Sequence, residues 1–455
     1  MPATTTNRQP RHLLAVVRAR HGYTCASYAS AVGKRAAKLG YGSGSWRREK
    51  VARWEAGVEP AMYAQLAMAD LLRVDPDEVI ARGWPNWLLL ALPGPDVLAP
   101  FTPEVTLSAL DDLTTGKSQA NGADVPLLPP SVLEALTMQW TEHVQETIAH
   151  GIHGGYVGVE VSTAIHSRLT ALWHLDDSLG GTPCTTSART DLHMVTRLLR
   201  NARHRGQLTT DLHYLAAEYA RFLGWAEFDA GRPAKAQRAW HTALRASAEA
   251  ADPVHGAYLL ANLALACVYD DQPNVGTGLL TSARELVGTR TTPLVEAMID
   301  TWRVRATAAT GDAKQAARLL AQAEREYERA REGDENPPWA YWMCRPSHMA
   351  ETGRAFLDIG DPATAESLLT DGLAALEPNA TRDRVLYLTW IATAQARRRE
   401  LDAAAHTATT AMDIAATVES GRCANLLSSL ITELTPHRQD APIAAALERL
   451  SDGVE

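Results

Sequence analysis

Three well-separated segments of this chain read almost alike: DAGRPAKAQRAWHTAL (229–244), ATGDAKQAARLLAQAE (309–324) and DIGDPATAESLLTDGL (358–373). Each places a turn before an alanine-rich helical stretch. Comparable turns recur at Gly231, Asp271, Gly311, Gly360 and Glu400, separated by 40, 40, 49 and 40 residues. Small residues recur where the two helices of a pair must approach closely, and Leu and Trp fill the space left over. A unit of that size cannot bury its apolar face alone, so neighbouring units must stack into a solenoid. The alternative is an irregular helical bundle in which the likeness is incidental. From Ser131 onward helical periodicity prevails and no convincing strand alternation interrupts it, which predicts an all-α fold.

The rest of the chain differs in charge. The overall balance is -9, yet residues 1–60 hold eleven Lys or Arg, Arg8 and Arg11 among them, against Glu49, Glu55 and Glu59. That stretch is +8 and leaves -17 for the remainder. A basic segment on an acidic body points to a polyanionic partner for the segment alone; a merely solubilising tail is the other reading. At 455 residues the chain exceeds what one hydrophobic core supports. The expected division is a DNA-binding domain over 1–92, a Pro-rich linker over 93–130 and a repeat domain over 131–455.

Short helices are expected inside the first division. One spans about 11–21 and ends at Gly22, and a second starts after the capping candidate Thr24 and runs to about Leu39. A third covers about Ser45 to Ala56, with Ser45 as cap and Gly57 as stop. On this third helix Val51 and Trp54 fall on the buried stripe, while Arg47, Arg48, Glu49, Lys50 and Arg53 point elsewhere. An arginine on such a helix can bond guanine O6 and N7 in the major groove, or hold a phosphate and read no sequence. Glu49 and Arg53, four apart, would partly neutralise one another. The glycine-rich GYGSGS (40–45) follows no strand and precedes no lysine at nucleotide-loop spacing, so it is expected to be a turn.

VARWEAGVEP (51–60) and VRARHGYTCASYA (17–29) resemble the XRE family of phage-repressor-like helix-turn-helix domains, and LAMADLLRVDPDEVI (66–80) extends the likeness. The resemblance implies an ion pair between Arg18 and Glu55 and places the base-contacting positions on Arg48, Glu49, Lys50 and Arg53, with Arg47 just before them. About a dozen residues are inserted between Ala29 and Trp46 relative to the compact family pattern. The insertion makes Lys34, Arg35 and Lys38 additional candidates for phosphate contact. The repeats resemble tetratricopeptide repeats, most closely over Leu215 to Ala250, where Gly224-Trp225, Gly231, Ala236 and Ala243-Leu244 stand at similar spacing. Their period is longer than the usual one of about 34 residues. With NPPWAYWMCRP (336–346) and LDDSLGG (175–181), the combination resembles actinobacterial XRE regulators carrying C-terminal tetratricopeptide repeats, implicated in differentiation and specialised metabolism.

Chemistry is sparsely signalled. His143, His150 and His153 cluster in 139–155, but glycines break the helix that would aim them at one metal, and HExxH is missing. No nucleophile elbow occurs, so neither an enzyme nor a metal or cofactor is expected. Asp176-Asp177 reads as capping or loop duty. Cys25, Cys184, Cys267, Cys344 and Cys423 form neither a disulfide framework nor a thiolate zinc pattern. PPWAYWMCRPSHM (337–349) gathers Trp339, Tyr341, Trp342, Arg345 and His348, which would either fill a gap between repeats or line a groove for a peptide or planar small molecule. The greasiest run, WPNWLLLAL (84–92), is too short to span a bilayer.

The sequence thus leads to a cytoplasmic, nucleoid-associated regulator acting on double-stranded DNA as a homodimer. A peptide or small-molecule effector would bind in the repeats, and no membrane is involved. The competing expectation is an interaction scaffold whose head only localises it. The dimer contact could lie in 84–92 or in the repeats.

Overall fold

In the repeat region, helix pairs turn on residues held in the left-handed backbone region: Gly231 (φ 74°), Asp271 (62°), Gly311 (87°), Gly360 (86°) and Arg399 (66°). Glycine adopts that conformation without steric cost, which explains its presence at three of the five turns. The last turn residue is Arg399, one before the expected Glu400. In three of the turns Pro233, Pro273 and Pro362 then occupy the first helical turn, where the missing N–H costs nothing.

The structure, a computed structural model, describes residues 12–42, 44–92, 96–115, 128, 130, 132–140, 159–201, 206–378 and 380–452. Arg8, Arg11, His143, His150 and His153 lie outside the described residues. The described residues are almost all helical and include no strand, and none of their helices is long and apolar enough to cross a membrane. The chain divides into two compact units: residues 1–100 with 115–139, and 101–114 with 140–455.

The first unit holds α1 (Leu13–Arg20), α2 (Cys25–Lys38), α3 (Arg48–Glu55), α4 (Met62–Leu72) and α5 (Pro76–Arg82), then a 3-10 turn over Asn86–Ala91. Thr24 caps α2 through a reciprocal capping box with Ser27, and Gly22 and Gly57 adopt positive φ at the ends of α1 and α3. Ser45 does not cap α3. That helix starts at Arg48 with Arg47 as its cap position and no side-chain cap bond, because Trp46 turns inward instead. A Cβ at Gly33 of α2 would stand 2.6 Å from the Trp46 ring, so only glycine lets the indole lie there. Trp46 also meets Trp54 and Tyr63 edge-on, which anchors the inserted residues. The 84–92 run is used inside this unit: Trp87 and Leu88 are fully buried, and Trp87 Nε1 donates to Gln65 Oε1 at 3.0 Å. A helix over 132–140, α7, follows.

The stretch expected to be a linker over 93–130 differs in part. Residues Pro103–Thr115 form helix α6, which but for its last residue belongs to the second unit. Apolar Leu110 and Leu113 are buried, Arg189 donates to the Leu113 carbonyl, and Arg200 pairs with Asp111. Proline at the first turn of a helix is tolerated, so counting prolines misreads this segment.

The second unit continues with α8 (Val159–Leu179) and α9 (Gly181–Asn201), then five helix pairs. They are α10 (Gln207–Asp229) with α11 (Pro233–Glu249), α12 (Pro253–Tyr269) with α13 (Pro273–Val287), α14 (Pro293–Ala309) with α15 (Ala313–Arg329), α16 (Arg345–Ile359) with α17 (Pro362–Ala374), and α18 (Thr381–Arg397) with α19 (Leu401–Ala415). α20 (Gly421–Leu434) and α21 (Ala441–Asp452) end the described chain. Within a pair, small residues set the approach: a Cβ at Gly224 would meet the Trp240 ring at 2.4 Å, and one at Gly353 would meet Leu369 at 2.8 Å. The two helices of a pair have different roles. α10 is buried around nearly its whole circumference from Leu215 onward, whereas α15 buries only Ala316, Leu319 and Ala323.

The solenoid closes on itself. α18 packs against α8 and α20 against α10. At the closure a Cβ on Gly421 would stand 2.6 Å from the Ala230 backbone, and Gly180 faces the Glu419 carbonyl. The closest approach of first and last repeats is therefore made of backbone against backbone, which only glycine allows.

Candidate functional site

Two sites follow from this arrangement, one in each unit. In the first, α3 is fixed from behind. Val51 and Trp54 are buried, and Arg18 Nε donates to Glu55 Oε1 at 2.5 Å while its Nη1 donates to the Tyr23 carbonyl at 2.7 Å. Burial alone would lower the Arg18 pKa, but the Glu55 hydrogen bond dominates and raises it. The pair implied by the sequence resemblance is formed, and it holds the C-terminal end of α3 to α1.

The face left outward carries Arg47, Arg48, Glu49 and Arg53, all exposed, with Lys34 and Lys38 exposed on α2. Three details differ from the sequence expectation. Glu49 pairs with Arg48 at 3.0 Å rather than with Arg53. Lys50 is half-buried, its ammonium 5.1 Å from the Trp46 ring centroid. Arg35 is engaged by Asp70 at 3.0 Å, so of the three α2 cations it is the one already committed to a carboxylate.

The second site is a cavity of about 630 Å³ inside the repeat unit, within the size range of small-molecule pockets. Its wall comes chiefly from α8 and from the first helix of each pair: Trp173 and Asp176 from α8, Arg221 and Trp225 from α10, Tyr258 from α12, Trp302 from α14, and Arg382 and Trp390 from α18. The first helices of successive pairs touch one another, so their inner faces line one continuous surface. Residues one helical turn apart on one helix, such as Arg221 and Trp225, then point to the same side.

The aromatic rings stack in near-parallel order. Trp339 lies 4.2 Å from Tyr258 at 11°, Tyr258 6.3 Å from Trp302 at 21°, and Trp302 5.4 Å from Trp342 at 19°. Trp173 and Tyr341 form a separate stack, 5.7 Å apart at 14°.

Three arginines enter this aromatic lining, each with carboxylate company. Arg221 Nε donates to Glu218 Oε1 at 2.6 Å, and His255 Nε2 stands 2.8 Å from the same oxygen. Burial pushes the Glu218 carboxyl up, but Arg221 and His255 outweigh it and hold it at about 2. Arg382 reaches Asp176 at 3.1 Å, Asp177 at 3.8 Å and Asp383 at 4.0 Å. Arg422 stands 3.2 Å from Asp229. Asp176 and Arg382 are separated by 206 residues, so this pair spans the closure of the solenoid.

Of the segment singled out at 337–349, Trp339, Tyr341 and Trp342 line the cavity. Trp339 is also a fully buried packing residue, while Tyr341 is exposed and donates to Asp177 Oδ2 at 2.9 Å. Arg345 and His348 are not in the lining. His348 is buried, stacked on Tyr327 at 4.3 Å and 3.0 Å from Glu324, and Arg345 lies over Tyr327 at 5.5 Å. The turn of α16 that starts at Arg345 directs both toward α15, away from Pro346 and Ser347, which do line the cavity. Asp176 and Asp177 neither cap nor sit in a loop; they lie within α8 and face Arg382.

The residues missed by sequence reading are the distant ones: Trp173, Arg221, Trp225, Tyr258, Trp302, Arg382 and Arg422. For those on the first helix of a pair a signal was faint but present, as where Arg221 and Trp225 share one face of α10. Such a face is neither a pure core stripe nor a solvated one.

Fold and cavity together define an all-helical repeat protein closed around an aromatic chamber. No protein-family model matches the chain, and no curated protein matches it. Among solved structures, "Crystal Structure of Rap Protein Complexed with Competence and Sporulation Factor" covers 71% of this chain and 98% of that chain, at 13% identity and a TM-score of 0.44. A likeness of that degree says nothing of what this chain binds.

Proposed function

We propose that this chain is a sequence-specific DNA-binding transcriptional regulator, with the first unit holding double-stranded DNA and the repeat unit taking an effector. The observation that carries the reading is α3: an arginine-rich face left outward by a helix whose other side is pinned by Val51, Trp54 and the Arg18–Glu55 pair. A rigid short helix with exposed Arg47, Arg48 and Arg53 suits the major groove, where bidentate arginine contacts discriminate guanine by about 1–3 kcal/mol each. Lys34 and Lys38 supply phosphate contacts beside it, which position the protein without reading sequence. The regulator acts as a homodimer on two half-sites about one helical turn apart, and an effector in the repeat cavity shifts the arrangement of the two heads by its differential affinity for the two states. No chemical step belongs to this reading.

The test is genome-wide binding followed by gel-shift titration of the purified full chain. A short shared motif is expected, with affinity falling steeply as salt rises. Arg48→Ala with Arg53→Ala should abolish selectivity for that motif. If the double variant binds the motif as tightly as the parent, the interface is misplaced; if no motif emerges at all, the chain is an interaction scaffold.

A further inference from the structure

The charge balance of the aromatic cavity specifies what can enter it. Arg221 is satisfied by Glu218 and Arg422 by Asp229, and the lining residue Glu351 is satisfied by Arg305 at 2.7 Å. Asp176, Asp177, Glu377 and Asp383 remain, and among the described residues the guanidinium within 4.0 Å of the three aspartates is that of Arg382, itself 3.9 Å from Asp229 as well. One cation therefore faces a surplus of carboxylates. Asp176 is 3% exposed and its Oδ1 has no hydrogen-bond partner among the described residues. The Asp177 and Asp383 side chains are 39% and 37% exposed, open to an incoming group.

An anion entering here would have to compete with the carboxylate each arginine already holds. A cation meets unspent negative charge and, on the same wall, the π faces of Trp173, Tyr341 and Trp342. Aromatic faces attract cations more strongly as water is removed. The near-parallel ring stacks favour a flat molecule over a branched one. Trp302 and Trp390 line the cavity as well, extending its aromatic wall.

We propose that this cavity binds a planar aromatic cation, its rings against the tryptophan and tyrosine walls and its positive charge against Asp176, Asp177 and Asp383. The inference rests on the cavity being the effector site and adds the effector's chemical class. A peptide is the competing occupant. Burial, partly opposed by Arg382, raises the Asp177 pKa, which agrees with a site awaiting more positive charge.

The experiment uses the full chain, titrated with berberine, a flat permanent cation, and in parallel with 8-anilinonaphthalene-1-sulfonate, an aromatic anion. Calorimetry and quenching of tryptophan fluorescence report binding. Berberine should bind at least about tenfold more tightly than the anion. Asp177→Asn with Asp383→Asn, both partly exposed positions, should weaken berberine by about tenfold or more and leave the anion equal or tighter. Trp342→Leu should weaken both probes, with circular dichroism confirming the fold of each variant. The inference is overturned if the anion binds as well as berberine, or if the two asparagines leave berberine affinity unchanged. It is also overturned if five-residue basic peptides displace berberine and bind more tightly than it does. In each of those cases the effector site survives. If neither probe nor the peptides bind, the effector reading falls with it.

Discussion

The two units use arginine in opposite ways. In the first, two arginines are largely taken out of solvent to hold the frame, Arg18 against Glu55 and Arg82 against Glu78 and Asp96, and others on the same small domain stand in water. Among the described residues Arg48 pairs with its neighbour Glu49, at side-chain exposures of 75% and 64%. In the second, Arg221, Arg382 and Arg422 are all buried, Arg221 matched by Glu218 on its own helix and the other two by aspartates brought from elsewhere in the fold. Exposed arginines keep their charge available to a large polyanion and contribute little to stability. Buried ones stabilise only while their partners stay. The same residue type is thus left to solvent in one unit and serves as a structural counter-ion in the other, and its burial decides which.

This contrast can be broken most directly at Arg382. Replacing it by alanine leaves Asp176 buried without its cation and Asp229 with Arg422 alone, a loss of about 3–5 kcal/mol, expected as a lower urea midpoint. A loss under about 1 kcal/mol would mean that the buried arginines are no more structural than the exposed ones.

Next in size is the reverse experiment. Arg48→Ala with Arg53→Ala should cost about 2–4 kcal/mol or more in affinity for the operator while thermal unfolding stays within about 0.5 kcal/mol of the parent. Any larger destabilisation would show that these side chains hold the head together instead of contacting a partner.

Gly224→Val tests whether pair spacing underlies the cavity wall. Its added Cβ would stand 2.4 Å from the Trp240 ring, and overpacking of this kind costs about 1–3 kcal/mol. Since Arg221 and Trp225 flank Gly224, the cavity should lose its probe affinity together with stability; a variant that unfolds earlier yet binds normally would separate the two.

The smallest effect concerns pH. Burial and the nearby Glu104 push the Glu249 carboxyl up to about 7, with Arg245 opposing. A carboxyl raised on folding favours the folded state fully below its unfolded value of 4.5, and that contribution is lost as pH rises through about 7. Glu249→Gln should therefore flatten the decline of melting temperature across this window in the second unit. An unchanged profile would show that Glu249 is not the group responsible.

Local chemistry made much of this protein legible. Gly22 and Gly57 end helices in the first unit, Thr24 caps α2, and Gly231, Gly311 and Gly360 turn the helix pairs, because a turn or cap is determined by residues within a few positions of each other. Arg18 and Glu55 could be paired because the segments that hold them resemble a known helix-turn-helix family, in which that pair is implied. The position of Trp46 could not be read: its inward turn depends on the absence of a Cβ at Gly33 on another helix. For the same reason α3 begins at Arg48 instead of Ser45.

The cavity shows the limit more sharply. Trp339, Tyr341 and Trp342 were found because they are adjacent in sequence, but Arg345 and His348, equally adjacent, face the other way once α16 starts. Asp176 and Asp177 looked idle until Arg382 arrived from 206 residues away. The sequence by itself determined the helices, their turns, the pairing of neighbours and which end of the chain is basic, since each rests on contacts between residues near in the chain. Closure of the solenoid, the aromatic chamber within it and the shortage of positive charge there were decided by tertiary structure. They depend on how small rotations between successive repeats accumulate until the last helices meet the first, a quantity no single segment encodes.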